Sequence, residues 1–289
     1  MRDLRGKKAV VTGGAMGFGF ETCRRLLREG CDVTIWDLNE SALAEATGKL
    51  GEIGGGKVFG HPCDVSDRAR VTELVEQAKK DMGQVDILIN NAGFFRPGKF
   101  WEVPLEHTLR QMEVNITAHF YTTHAFLPDM LARDWGHIVN VASGASWYSA
   151  PGLVGYCTSK AAVHGFSETL RIEIKASEKR GVWVTSVHPG TALYGMFEGL
   201  DLSPVMKVLW PPLKSHDIVA EAIVEEGLKK GKPVICRPRT VYLIWALRGI
   251  VPDTLWDWLM LRLGARDFLK GYKGRPGMAH TDPSADNRA

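Results

Sequence analysis

Short apolar runs alternate with helix-length amphipathic stretches from the first residues to about position 236. Strands are predicted at 9–11, 32–36, 58–61, 85–90, 138–142, 182–187 and 233–236, and helices near 18–29, 40–50, 67–81, 105–132 and 155–179. Runs this short and this continuously apolar are buried on both faces, and a helix between successive strands makes them parallel. The predicted fold is therefore α/β, a doubly wound seven-stranded parallel sheet of Rossmann type. Its ligand crevice lies beyond the carboxyl ends of the strands. Residues 1–239 read as this Rossmann-fold domain. Residues 240–273 read as a helical extension of the same domain: two apolar helical patterns broken by Pro252, each too short to span a bilayer. Their mix of Trp, Leu and Arg suits packing beside a ligand entrance, packing on a partner, or weak membrane-surface association. Residues 274–289 are polar and read as a disordered tail.

Composition narrows the function classes. A chain of 289 residues can bury one large core, and a net charge of +3 is too mild to point to nucleic acid. The five cysteines are scattered with no Cys-x-x-Cys pair, which argues against zinc or a disulfide framework and for a reducing compartment. The opening Met1-Arg2-Asp3-Leu4-Arg5-Gly6 is polar and leads straight into a strand, so neither signal peptide nor anchor is expected and the location is expected to be cytoplasmic.

Candidate chemistry sits at strand ends. After the first strand comes Thr12-Gly13-Gly14-Ala15-Met16-Gly17-Phe18-Gly19. Glycines there let the backbone approach a pyrophosphate, and the following helix presents free N–H groups to it. Asp37 ends the second strand, where a carboxylate can hold ribose hydroxyls and repel a 2′-phosphate, or else cap the next helix. Asp64 and Val65 follow the third strand and are placed to contact adenine; Asp64 too has a helix-cap alternative. Tyr156 and Lys160 share one helical face, and Ser143 at the end of the fifth strand can meet the tyrosine across a cleft. An ammonium near a phenol favours the phenolate, so a lowered Tyr156 pKa is expected.

In register with these positions lie Asn90-Asn91-Ala92-Gly93, Asn115 and Pro189-Gly190. Together with the glycine loop, Asp64, Ser143 and Tyr156-x-x-x-Lys160, they make the chain similar to the short-chain dehydrogenase/reductase family over about residues 7–236. Trp36-Asp37-Leu38-Asn39 and the run from Glu113 to Phe120 further resemble the 17β-hydroxysteroid dehydrogenase type 11/13 and retinol dehydrogenase-like group.

The resemblance implies an oxidoreductase moving hydride between an alcohol or ketone carbon and a nicotinamide. Tyr156 would be the proton carrier, Lys160 the phenolate stabiliser and ribose ligand, and Ser143 the hydrogen-bond partner of the substrate oxygen. Asn115 would bend its helix and hold a water that passes the proton to Lys160. The cofactor site would comprise Gly13, Gly17, Phe18, Gly19, Asp37, Asp64, Val65, Asn91, Ala92, Gly93, Tyr156, Lys160, Pro189, Gly190 and Thr191. Tyr194 stands where the family often has a nicotinamide-binding Thr, so Thr191 or backbone groups are left for that role. With Asp37 present and no neighbouring cation, NAD is expected over NADP. The resemblance also implies a homodimer or homotetramer.

Phe95, Trp147, Leu153 and Tyr194, with Ser143 and Tyr156, are expected to line an apolar substrate pocket suited to a bulky hydrophobic alcohol or ketone. Residues 194–212 would form a lid. Two other readings share the fold: a halohydrin-dehalogenase-type lyase, disfavoured by Lys160, Gly17 and Gly19, and a non-catalytic dinucleotide sensor, which would not need Ser143, Tyr156 and Lys160 together.

Overall fold

All seven predicted strands form, and they form one sheet. The computed structural model describes residues 1–193 and 195–273; the tail at 274–289, predicted to be disordered, lies outside the described residues. The strands are β1 (Lys8–Thr12), β2 (Asp32–Asp37), β3 (Val58–Pro62), β4 (Ile87–Asn90), β5 (Gly136–Val141), β6 (Val182–Pro189) and β7 (Val234–Arg237). Their spatial order is β3-β2-β1-β4-β5-β6-β7, with every pairing parallel. The order reverses between β1 and β4, which opens a crevice at their carboxyl ends.

Strand alternation splits the core into two layers. Val11, Ile35, Ile87 and Ile89 face one layer with Leu26, Leu27 and Ile223. Val10, Trp36 and Leu88 face the other with Leu74, Phe126 and Met130. Each fully buried aliphatic or aromatic side chain contributes roughly 1.5–3 kcal/mol of transfer free energy.

Helices α1 (Gly17–Arg28), α2 (Glu40–Gly51) and α3 (Arg68–Met82) follow the first three strands. The expected long helix at 105–132 is instead α4 (Leu105–Met112) and α5 (Ala118–Ala132), joined by a π-helical turn at Glu113–Thr117. The helix predicted at 155–179 is α6 (Val154–Ala176). Two helices had no counterpart in the sequence pattern, α7 (Pro204–Leu209) and α8 (Asp217–Ala222). At six residues α7 is too short to display a helical period. Helix α8 runs on into a second π turn at Ile223–Leu228 and docks on α1, where both carboxylate oxygens of Asp217 accept from Arg25 at 2.7 Å.

The extension forms α9 (Val241–Arg248) and α10 (Asp253–Arg262), with Pro252 just ahead of α10. Trp256 and Phe268 are buried, and Phe268 joins a third apolar cluster with Tyr148, Leu153 and Tyr156. Among the described residues no helix is long and apolar enough to cross a membrane. All five cysteines are free thiols.

Candidate active site

The glycine loop closes because side chains are missing from it. Gly13 and Gly17 have φ of 61° and 58°, the left-handed region glycine enters freely. A Cβ on Gly19 would stand 2.2 Å from the Gly13 carbonyl oxygen. Asn91, just past β4, donates from Nδ2 to the Thr12 and Gly13 carbonyls at 3.0 and 2.9 Å. The Thr12 hydroxyl in turn accepts the Asn91 and Ala92 N–H groups, both at 3.0 Å. Helix α1 starts at Gly17 with no side-chain cap, so its first N–H groups are left to an anion.

Asp37 lies beside this loop. One carboxylate oxygen accepts the Ala15 N–H and the other the Asn39 N–H, each at 3.0 Å. The cap of α2 is Asn39, which accepts from Ala42 at 2.9 Å; the alternative of Asp37 as cap is thereby removed. Asp64 is likewise not the cap of α3, a role taken by Asp67. The Asp64 carboxylate pairs with Arg110 at 2.5 Å and accepts from Ser66, and Val65 beside it is buried. A bare glycine cradle, an uncapped helix start and a carboxylate at the end of β2 together fit a dinucleotide.

Ser143, Tyr156 and Lys160 converge past the end of β5. The Ser143 hydroxyl accepts the Ala145 N–H at 3.1 Å and stands beside the Tyr156 phenol, where its influence favours phenolate. The Lys160 ammonium donates to the Val141 carbonyl at 2.9 Å and lies 5.9 Å from the Tyr156 ring centroid. The expected lowering of the Tyr156 pKa does not occur. Burial pushes the phenol above its ordinary value and outweighs the influence of Ser143. Burial also pushes Lys160 down to about 8, so the charge meant to stabilise the phenolate is itself destabilised by the same dry surroundings.

Asn115 occupies the π turn and is fully buried. Its side chain accepts the Phe94 N–H at 2.7 Å and donates to the Phe94 carbonyl and the Ser159 hydroxyl, both at 2.9 Å. The extra residue of the π turn turns this amide inward, against the loop after β4 and the helix that carries Tyr156. A Cβ on Gly93 would lie 3.6 Å from Asn115 Oδ1 and 3.7 Å from Lys160 Nζ, which places Gly93 beside both groups.

The crevice above Ser143 and Tyr156 is walled by Tyr148, Leu153, Phe197 and Trp210, with Gly190 and Thr191 forming its edge after Pro189. Phe95 stands behind this wall, edge-on to Tyr156 and Phe197 at 4.9 and 4.8 Å between ring centroids. Trp147 departs from its expected place in the lining: it stacks on His188 at 4.0 Å and stands edge-on to His164, pointing away from the crevice. Tyr194 lies outside the described residues.

Two residues at the site escaped the sequence pattern. His188 is buried under Ser143; its Nδ1 donates to the Ser143 carbonyl at 3.1 Å and its Nε2 accepts from Ser186 at 3.0 Å. It sits directly before Pro189, but a single histidine in an apolar strand carries no signal of its own. Phe268 reaches the crevice from the C-terminal extension, far from any motif.

This geometry matches known proteins closely. The model of the short chain dehydrogenase family matches residues 7–202. The chain belongs to that family. Among similar proteins, this short-chain dehydrogenase is 34% identical over 275 residues to retinol dehydrogenase 10 of Homo sapiens, covering 87% of this chain and 80% of that one. It is 32% identical over 252 residues to epidermal retinol dehydrogenase 2 of Homo sapiens, with the same coverage. A short-chain dehydrogenase/reductase from Burkholderia phymatum, solved in complex with NAD, aligns with a TM-score of 0.75 at 25% identity over 89% of this chain and 97% of that one. The apo form of LigO from Sphingobium sp. strain SYK-6 aligns with a TM-score of 0.74 at 26% identity over 90% and 92%. The short-chain dehydrogenase is therefore an oxidoreductase of the retinol dehydrogenase-like group, in a family that uses nicotinamide dinucleotides.

Proposed function

We propose that this short-chain dehydrogenase interconverts a secondary alcohol and a ketone on a bulky hydrophobic substrate, with NAD(H) as hydride carrier. The observation that carries the reading is the meeting of Ser143 and Tyr156 at the floor of a crevice whose walls are apolar and aromatic. Such a lining suits steroid-, retinoid-, aromatic- or lipid-like molecules and offers no handle to a phosphate. The retinol dehydrogenases among its relatives support the same substrate class.

The bound dinucleotide supplies or accepts the hydride; positioning and proton transfer fall to the protein. Tyr156, kept protonated by burial, gives its proton to the carbonyl oxygen in reduction, and in oxidation its deprotonated phenolate form takes the proton of the alcohol. Ser143 fixes the substrate oxygen beside the phenol. Lys160 and the inward-turned Asn115 supply the polar link behind Tyr156 through which the proton is replaced. Gly13, Gly17, Phe18, Gly19 and Asn91 to Gly93 bind the pyrophosphate and ribose, while Pro189, Gly190 and Thr191 border the nicotinamide. Asp64 meets the adenine from its Arg110 pairing, beside Val65. Asp37 accepts from the adenosine ribose and repels a 2′-phosphate, which favours NAD.

The extension belongs to the same domain and walls the substrate entrance, as Phe268 in the crevice supports. The outer faces of α4, α5 and α6 pair with a second copy. Lys160, Gly17 and Gly19 disfavour the lyase reading. Following NADH absorbance with steroid, retinoid, aromatic and long-chain alcohols and their ketones tests the proposal. Turnover of bulky apolar members supports it; NADH binding without turnover of any member overturns it in favour of a dinucleotide sensor.

A further inference from the structure

Two hydrogen-bond donors on side chains that line the crevice have no partner among the described residues. They are the Tyr148 hydroxyl and the Trp210 indole N–H, and both are buried. Both side chains line the crevice with Ser143 and Tyr156, and they are only 2% and 4% exposed. Leaving a buried donor unpaired costs roughly 1–3 kcal/mol, and native proteins seldom leave two in one place.

The surroundings are arranged to hold these groups there. The two rings lie 5.3 Å apart, inclined at 58°. The Trp210 indole occupies space that any larger residue would close: a Cβ on Gly144 would fall 2.3 Å from its six-membered ring, and one on Gly190 2.4 Å from its Nε1. Gly144 directly follows Ser143, so the far edge of the indole lies against the turn after Ser143, while its N–H lies beside Gly190 at the crevice edge.

We propose that the substrate carries a second, uncharged hydrogen-bond acceptor near the carbon that reacts, and that Tyr148 and Trp210 hold it. The proposal rests on the reading of this crevice as the site of a bulky alcohol or ketone. An indole N–H can only donate, so its partner must accept. No lysine or arginine side chain is among the described residues lining the crevice. A carboxylate would therefore be buried without a countercharge, whereas a carbonyl, ether or hydroxyl oxygen is tolerated. Burial keeps the Tyr148 phenol protonated and hence a donor. A substrate with a single oxygen uses Ser143 and Tyr156 and leaves the other two donors unmet, so the crevice discriminates against it.

A matched pair of ketones tests this. Deoxybenzoin has one carbonyl; benzil has the same two rings and a second carbonyl on the adjacent carbon. Calorimetric binding of each to the NAD-saturated protein avoids turnover, and NADH-dependent reduction gives kcat/KM separately. Tyr148→Phe and Trp210→Phe are each expected to weaken benzil binding about tenfold more than deoxybenzoin binding, with the same difference in kcat/KM. Equal effects on both ketones would overturn the second-acceptor proposal while leaving the hydrophobic-ketone reading intact. Failure of both ketones to bind the unaltered protein would overturn the reading of the crevice itself, and the proposal with it. Thermal unfolding without ligand gives an independent arm. Removing an unpaired buried hydroxyl should leave the melting midpoint of Tyr148→Phe unchanged or higher, and a drop of several degrees would mean that the hydroxyl has a protein partner after all.

Discussion

The Lys160 ammonium donates to the Val141 carbonyl oxygen across 2.9 Å, tying the helix that bears Tyr156 to the end of β5. One buried cation thus anchors the helix and faces the proposed ribose position, while burial holds its pKa down to about 8. Lys160→Met keeps most of the apolar stem and removes the charge. It is expected to lower kcat by about a hundredfold or more and to weaken NADH binding, read by fluorescence titration. A variant that keeps kcat within threefold would remove Lys160 from the mechanism.

Tyr156 makes a separable prediction. Its phenol is pushed up by burial, so it is protonated throughout the neutral range and ready to donate. Reduction should be flat with pH near neutrality and decline as pH rises through about 8, where Lys160 loses its charge, whereas oxidation, which needs a proton acceptor, should rise with pH. Tyr156→Phe should lose about 10²–10⁴ in kcat in both directions while NADH affinity stays nearly constant. Retention of most of the turnover would assign proton transfer to another group.

Asp37 is the determinant of cofactor choice in this reading. Both of its oxygens accept backbone N–H groups, which fixes the carboxylate beside the glycine loop. Leu38 next to it is 65% exposed, leaving room for a longer cationic side chain. Wild-type protein should prefer NAD to NADP in kcat/KM. Asp37→Ala with Leu38→Arg should move the ratio toward NADP by tenfold or more, since the change removes a repulsion and adds an attraction. Equal kcat/KM for the two cofactors in the unaltered protein would contradict the assignment.

The strands and the main helices were legible because their hydrophobic period runs long enough to be seen: Val10, Val11, Ile87, Leu88 and Ile89 leave little choice but a doubly buried sheet. Ser143, Tyr156 and Lys160 were legible as a group because strand end and helix face bring them together. Trp147 and Tyr148 were not separable in sequence. They are adjacent, equally aromatic, and only the short turn after Ser143 sends one to His188 and the other into the crevice. The sign of the Tyr156 shift was missed because a sequence lists the neighbouring charge but not the depth of burial. Phe268 was missed because its contact depends on how the extension folds back, a long-range event with no local pattern.

Three buried histidines reduce stability as the solution is acidified. Burial lowers His119, His137 and His188 to about 3, with Lys160 and Arg2 adding small repulsions. In the unfolded chain each titrates near ~6.5. Unfolding therefore takes up protons below that pH, so the stability present above pH ~6.5 is lost as pH falls toward 3. Between pH 6.5 and 5 the carboxylates barely titrate, so the decline there should report these histidines. Urea unfolding at pH 7, 6 and 5 should show a falling free energy, with each proton contributing ~1.4 kcal/mol per pH unit. A flat profile over that interval would mean that the imidazoles are solvated.

The outer faces of α5 and α6 make the last prediction. Phe120 on α5 packs edge-on against Phe166 on α6 at 4.9 Å between centroids, yet Phe120 is 50% exposed and Ile172 on α6 57%. Leu105 and Leu109 on α4 are exposed as well. Burying such side chains against a second copy would gain roughly 1.5–3 kcal/mol each. The helix paired in this way is the one carrying Tyr156 and Lys160, so assembly and activity should be linked. Light scattering at micromolar concentration should give a dimer or tetramer. Phe120→Lys, which puts a charge in the middle of this apolar face, should give a monomer with lower kcat. Should the unaltered protein scatter as a monomer, the pairing of these helices is refuted, and a monomeric Phe120→Lys with full kcat would show that the active site needs no brace.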